Sequence, residues 1–215
     1  MNKFIIILFV FCLLPTLLSG EINTYKFDKL TEDNGLSGGV IEMIYQDKYG
    51  FIWFGTLSGL NRYDGYKFTI YTNDPKDAYS IGHNHVSNCY EDKNGNLWFL
   101  THGGGLSKYD YANDRFINYQ YNPNDKNSIC SNYCFSIYEN KEGNFWVSTM
   151  GGLSKMIFHP NEDSVTFVNY LNDPLNEYSL KNNHVWNVWE PQAGFLWIRT
   201  NAGLNIFDIK LEKFH

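Results

Sequence analysis

Four copies of one short pattern, each centred on a tryptophan, constrain the fold of this chain more than any other feature. In each copy a glycine stands three residues before the tryptophan, a threonine stands three residues after it, and a Gly-Leu pair closes the unit. The repeated positions are Gly50, Trp53, Thr56, Gly95, Trp98, Thr101, Gly143, Trp146, Thr149, Gly194, Trp197 and Thr200. The tryptophans are 45, 48 and 51 residues apart, a period typical of repeat architectures in which neighbouring units bury one another.

Each unit contains four short segments with the character of β-strands. An apolar segment such as 41–45 is followed by a turn ending in glycine and by the tryptophan strand; Gly-Leu then begins a third strand, and a Phe-x-x-Tyr segment such as 68–71 forms the fourth. The first strand of a unit lacks strict alternation, which we interpret as burial of both of its faces. The sequence therefore predicts an all-β fold, a β-propeller of four-stranded antiparallel blades with about four blades and an incomplete ring.

Polar linkers set the predicted boundaries between units. They begin with Asn-Pro or Asn-Asp-Pro, which starts a turn, and end with Ser-Ile or Ser-Leu. The predicted segments are a signal peptide at 1–20, an orphan outer strand with a lead-in at 24–35, and blades at 36–72, 73–121, 122–171 and, incomplete, 172–215. The orphan strand leaves two arrangements open. It either closes a four-bladed ring or pairs with a later blade, and we favour the second, which leaves an open arc.

The N-terminal residues predict export. A short positive region is followed by an apolar stretch at 4–14 and by small residues near position 20, the pattern of a secretory signal peptide; an uncleaved anchor is the alternative. We therefore expect a periplasmic protein. Cys89 and Cys134 take places where other units carry Ile or Val, and Cys130 lies in a linker, so we expect free thiols rather than a disulfide framework.

Charge and motifs exclude several classes of function. The chain has 17 basic and 23 acidic side chains and no cluster of Lys or Arg, which argues against a nucleic-acid partner. It has no Gly-x-Ser-x-Gly, phosphate loop or Cys-x-x-Cys, so we expect no catalysis and no cofactor. His83 and His85 have a spacing that metal sites use, but they lie where a loop enters a strand, and we expect no metal there.

Ligand binding is expected where the units differ, because the constant positions build the blades. His85, Tyr133 and His184 stand immediately before the first strand of their units, and the second position of that strand holds Glu42, Ser87, Phe135 and Trp186. Propellers bind ligands at the mouth of the central channel, where aromatic rings can stack on sugars. We select His85, Tyr133, His184 and Trp186 as the candidates. For Trp186 the alternative is packing between blades, the role assigned to the four repeated tryptophans.

The motif Ile-Tyr-x-Asp-x-x-Gly-x-x-Trp-x-x-Thr-x-x-Gly-Leu, together with the linker at 172–185, resembles the two-component regulator propeller repeat. The resemblance covers nearly all of 24–215. It implies the N-terminal part of the periplasmic sensor region of a hybrid two-component protein of Bacteroidetes, anchored in the inner membrane. Such proteins typically carry about fourteen repeats, so four copies imply a fragment or a short product. Pro191, Asn140 and Met156-Ile157 depart from the motif.

The same resemblance implies partners and a signal. The signal would be an oligosaccharide released from a polysaccharide, and the partners would be the remaining blades and a histidine kinase encoded further along; homodimerisation of the full-length form is left open. Two alternatives also stay open. The chain could be a free-standing binding or scaffold propeller, or a propeller enzyme acting on polysaccharide.

Overall fold

The computed structural model describes residues 27–159 and 164–215. The predicted signal peptide at 1–20, Cys12 and the first residues of the predicted orphan strand lie outside this range. Among the described residues, no helix has the length and apolar character needed to cross a lipid bilayer.

Within residues 27–159 and 164–215, sixteen strands form four separate four-stranded antiparallel sheets, each built from strands that are consecutive in the chain. Blade 1 contains β1 (Ile41–Gln46), β2 (Ile52–Thr56), β3 (Leu60–Tyr63) and β4 (Phe68–Tyr71). Blade 2 contains β5 (Val86–Glu91), β6 (Leu97–Thr101), β7 (Leu106–Asp110) and β8 (Arg115–Tyr119). Blade 3 contains β9 (Cys134–Glu139), β10 (Phe145–Thr149), β11 (Gly152–His159) and β12 (Ser164–Tyr170). Blade 4 contains β13 (Val185–Gln192), β14 (Phe195–Thr200), β15 (Gly203–Asp208) and β16 (Lys213–Phe214).

The all-β, four-bladed prediction is confirmed. Blade 4 has its fourth strand, reduced to two residues that pair with β15. The described part of the predicted orphan strand, 27–30, does not form a strand; it leads into a short 3₁₀ turn at Glu32–Asn34. Cys89, Cys130 and Cys134 are free thiols, as expected.

Asparagine and aspartate side chains hold the turn between the first two strands of blades 1 to 3. In blade 1, Asp47 Oδ1 accepts hydrogen bonds from the backbone N–H groups of Tyr49 and Phe51, each at 3.0 Å. Gly50 closes the turn with a φ of 89°, which glycine adopts without strain. The second carboxylate oxygen accepts the indole Nε1–H of Trp53 at 2.8 Å. The turn and the repeated tryptophan are therefore fixed by one side chain.

The hydrophobic core lies between the blades rather than within them. Three clusters of buried residues join blade 1 to blade 2, blade 2 to blade 3 and blade 3 to blade 4. Trp53 is fully buried and contacts Phe99 and Tyr109 of the next blade, with ring centroids 5.0 Å apart in both pairs. None of the three clusters joins blade 4 to blade 1, so the described blades form an open arc.

The open arc makes the fourth tryptophan different from the other three. Trp53, Trp98 and Trp146 have no exposed surface, whereas Trp197 is 36% exposed. Trp189 and Leu204 of the same blade are exposed as well. The assignment of all four tryptophans to packing between blades therefore does not hold for Trp197, because no described blade covers its face.

Candidate functional site

Every first strand carries a β-bulge at its second residue. In β1, Ile41 pairs with Thr56 and the next pair is Met43 with Gly55, so Glu42 has no partner residue across the sheet. The same skip occurs in the other three blades, at Ser87, Phe135 and Trp186. A bulge turns a side chain away from its regular direction and interrupts the alternation of faces. The irregular pattern of the first strands therefore reflects bulges, and the interpretation that both faces are buried is wrong, because only one or two residues of each first strand are buried.

A second set of residues reaches the same end of the blades from the tryptophan strand. His102 follows Thr101, and its backbone N–H donates to the carbonyl of His85 at 3.0 Å. Asn201 follows Thr200 and makes the equivalent bond to His184 at 3.2 Å. His102 also forms an isolated bridge to Tyr133 of the next blade. Met150 makes the same bond to Tyr133 at 3.0 Å, so in blades 2 to 4 the residue before the first strand and the residue after the repeated threonine are held side by side.

These positions form a continuous line of contacts across the four blades, which we call the mouth row. Its members come from the bulges, from the residues before the first strands and from the residues after the threonines: Glu42, His85, His102, Tyr133, Phe135, His184, Trp186 and Asn201. All four residues selected from the sequence belong to this row.

The first half of the mouth row is polar and contains two histidines. Glu42 Oε2 and His85 Nε2 are 2.8 Å apart, and the rings of His85 and His102 lie 4.3 Å apart. Burial, and then the neighbouring His85, lower the pKa of His102, although Glu42 opposes the shift. Burial and the same neighbour lower the pKa of His83, whose Nδ1 accepts the backbone N–H of His85. Both shifts favour the neutral form of these two rings.

The second half of the mouth row is aromatic. The rings of Phe135 and His184 are stacked, 5.1 Å apart and inclined by only 6°. Trp186 lies 4.9 Å from Phe135 and 4.3 Å from His184, and its Nε1–H donates to Asn201 Oδ1 at 2.7 Å. Trp186 is 39% exposed, so it is not enclosed between blades. The alternative of interblade packing for Trp186 thus accounts for only part of its surface.

Four members of the row were not selected from the sequence: Glu42, His102, Phe135 and Asn201. Glu42 and Phe135 stand at the variable second position of the first strand, where only Trp186 was chosen. His102 was missed altogether, although the residue after each repeated threonine is Leu57, His102, Met150 or Asn201 and so also varies between units. Variation at the position after the repeated threonine was the signal that would have identified His102 and Asn201.

The row is open to solvent at Tyr133 and Trp186, which are 46% and 39% exposed. A cleft of 330 Å³ lies elsewhere, beside the 3₁₀ turn, and is lined by residues that include Leu30, Leu36 and Ile41. Glu42 is the one carboxylate of the row, whereas glycoside hydrolysis by the usual mechanism needs two. The geometry of the row therefore favours binding over hydrolysis.

Comparison with known proteins identifies the repeats. The model of the two component regulator propeller family matches residues 35–58, 80–103 and 128–151. Histidine kinase P4 of Formosa agariphila is 42% identical over 78 residues, which are 36% of this chain and 6% of that protein. The matched family segments end at or just after the tryptophan strands and include His85 and His102 of the mouth row.

Solved structures agree with this result. The extracellular domain of a hybrid two component system from B. thetaiotaomicron superposes with a TM-score of 0.75 at 28% identity, covering 87% of this chain and 26% of that one. A second such domain from the same organism gives a TM-score of 0.65 at 26% identity, covering 81% of this chain and 24% of that one. This chain thus spans about a quarter of the length of these domains. Three of its units thus match the two component regulator propeller repeat.

Proposed function

We propose that this chain forms part of the extracellular sensing region of a hybrid two-component system and that its mouth row binds a fragment of a glycan. The observation that carries the proposal is the continuous, partly exposed aromatic surface made by Phe135, His184 and Trp186. The similarity to extracellular domains of hybrid two component systems supports the sensing role. Export through 1–20 and signalling to a histidine kinase, on a longer polypeptide, belong to the same proposal.

The aromatic half of the row suits a pyranose ring. A sugar offers an apolar C–H face to an aromatic side chain and hydroxyl groups at its edges, and binding sites combine apolar walls with a few placed polar groups. The bond from Trp186 Nε1 to Asn201 holds the indole ring in one orientation, which reduces the entropy that binding would cost. Trp186 and Phe135 would stack on the ligand.

In this proposal, polar atoms of the row bind hydroxyl groups of the ligand. Among the described residues, His184 Nε2 is buried and has no hydrogen-bond partner. A buried polar atom of this kind needs an explanation, because most such atoms are paired with protein or water. His85 and Asn201 add further hydrogen-bonding groups on either side. A ligand hydroxyl within reach of His184 would satisfy this atom.

Calorimetric titration of the full chain with a panel of neutral and acidic oligosaccharides tests the proposal. Trp186→Ala should weaken binding by at least about tenfold, the effect of a contact worth about 1.4 kcal/mol. Trp189→Ala is the matched control, because Trp189 lies on the same strand with 37% exposure but belongs to the uncovered face beside Trp197. Equal losses in both variants, or no binding by any oligosaccharide, would overturn the proposal.

Two further experiments with the same oligosaccharides separate the alternatives. Release of shorter oligosaccharides during incubation would indicate an enzyme acting on polysaccharide instead of a sensor. A reporter strain is tested with and without the adjoining kinase sequence. A response to the oligosaccharide that does not need the kinase would favour a free-standing binding protein.

A further inference from the structure

The polar half of the mouth row contains a group of side chains whose chemistry is that of a metal site. Glu42, His85 and His102 each offer one ligand atom, and the three atoms lie within 4.8 Å of one another. They come from three different places in the sequence: the bulge of β1, the residue before β5 and the residue after β6. The packing of blade 1 against blade 2 is what brings them together.

We propose that Glu42, His85 and His102 bind a divalent transition-metal ion, with Zn²⁺ as the best fit. Two imidazole nitrogens and one carboxylate oxygen are the donors of many three-ligand zinc sites, in which water takes the fourth position. Ca²⁺ and Mg²⁺ prefer sites made of oxygen atoms only, so this donor set selects against them. The site goes beyond the proposed glycan function, since binding of the ion requires no sugar.

The geometry requires only a small adjustment. Tetrahedral zinc with bonds of about 2.0–2.1 Å places its ligand atoms about 3.3 Å apart. Glu42 Oε2 and His85 Nε2 are already 2.8 Å apart, so they would separate slightly while the ring of His102 turns inward. All three side chains are partly accessible, so an ion can enter from solvent. Side-chain rotation is therefore sufficient, and no movement of the blades is needed.

The proton balance is simple. In the absence of metal, Nε2 of His85 shares a proton with Glu42 in a hydrogen bond. A metal bound to Nε2 takes the place of this proton, which moves to Nδ1 of the ring or to solvent. No oxidant or other reactant is required.

The bound ion would lie where the polar and aromatic halves of the row meet. The ring of His102 is 5.3 Å from that of Phe135 and 6.3 Å from that of Tyr133. Fixing His102 by coordination would therefore also fix the aromatic surface beside it.

The chain contains six histidines, of which His159 lies on β11 and bonds to Thr166, far in sequence from the proposed ligands.

The test is titration of the full chain, freed of any polyhistidine tag, with ZnCl₂ alone. We expect one ion per chain by calorimetry and a rise in melting temperature with zinc concentration. Glu42→Gln, His85→Gln and His102→Gln should each weaken binding by at least about tenfold, as loss of groups that hold or orient a metal does. His159→Gln is the matched control and should bind zinc as the unmodified chain does.

Two further measurements keep the result unambiguous. The circular dichroism and metal-free melting temperature of each variant show whether it is folded, so that a lost site is not confused with a lost fold. Replacement of zinc by Co²⁺ provides a visible spectrum that reports nitrogen and oxygen ligands. No zinc binding, or binding unchanged in all three variants, would overturn the metal site. Because the assay contains no sugar, this outcome leaves the glycan proposal to its own test.

Discussion

Asn140 of blade 3 stands where Asp47 and Asp92 accept the indole N–H of a repeated tryptophan. In blades 1 and 2 these bonds are 2.8 and 3.0 Å long. In blade 3, Asn140 Nδ2 and Trp146 Nε1 are both buried and, among the described residues, have no hydrogen-bond partner. Rotating the amide does not help, because Asn140 Oδ1 already accepts backbone N–H groups of the turn. Blade 3 therefore holds two unpaired N–H donors and lacks the carboxylate acceptor that blades 1 and 2 provide.

Asn140→Asp should therefore stabilise the protein. The new carboxylate oxygen would accept the Trp146 indole N–H and remove two unpaired donors, and it would cost some desolvation. A net gain of about 1–2 kcal/mol corresponds to a rise in melting temperature of roughly 2–8 °C. Urea unfolding and a thermal melt measure both quantities. Asp92→Asn is the reverse change in blade 2 and should destabilise; a neutral or destabilising Asn140→Asp would show that the indole N–H finds water instead.

The repeated tryptophans should differ in how much each contributes to the free energy of unfolding. Trp98 is fully buried between blades 2 and 3, so Trp98→Ala should cost about 3–5 kcal/mol. Trp197 is 36% exposed on the uncovered face of blade 4, and Trp197→Ala should cost roughly 1–2 kcal/mol. Chemical denaturation of both variants gives the comparison. Equal losses would mean that the face of Trp197 is covered in solution, for instance by another chain.

The repeat made the blades predictable from sequence, because the spacing of a single residue type reports how often the same packing unit recurs. Trp53, Trp98 and Trp146 occupy the interblade positions expected of them. The sequence did not predict the exposure of Trp197, because burial at that position depends on a neighbouring blade and not on the residue itself.

The candidate site was predicted in part, for a physical reason. His85, Tyr133, His184 and Trp186 were found because they differ between units at constant places. The bulges were not found, because an extra residue in a strand resembles a break in alternation, which has other causes. His102 could not be joined to Glu42 from the sequence, since 60 residues separate them and only the packing of two blades brings them together.

Gly105 tests a close approach of two backbone segments. Its φ is 75°, and a Cβ atom there would lie 2.2 Å from the carbonyl oxygen of Tyr119. Gly105→Ala should therefore cost roughly 3 kcal/mol or more, through backbone strain and a clash that no side-chain rotation relieves. Gly65→Ala is the control, because Gly65 has a φ of 95° with nothing within 4 Å of the added atom. Its cost should be about 1 kcal/mol, from strain alone. Urea unfolding of both variants decides whether the clash adds to the strain.

Asp114 should make stability depend on pH in the acid range. Its carboxylate accepts hydrogen bonds from Tyr109 and Tyr71 and pairs with Arg62. Burial works against ionisation most strongly, but these hydrogen bonds and the Arg62 charge outweigh it and lower the pKa of Asp114 below its usual 3.8. Since the folded state favours the ionised form, the contribution is complete above about pH 4 and is lost as the pH falls through the lowered pKa.

Asp114→Asn should thus be less stable than the unmodified chain at pH 7, and the gap should narrow as the pH is lowered from about 4 to 3. Asparagine suits the site sterically, because residue 114 has a φ of 50° and asparagine tolerates the left-handed region. Urea midpoints measured at each pH give the gap directly. Asp33→Asn, at an exposed residue of the 3₁₀ turn, should follow the unmodified chain throughout. A gap for Asp114→Asn that stays constant from pH 7 to 3 would show that shape and not charge holds Tyr71, Tyr109 and Arg62 together.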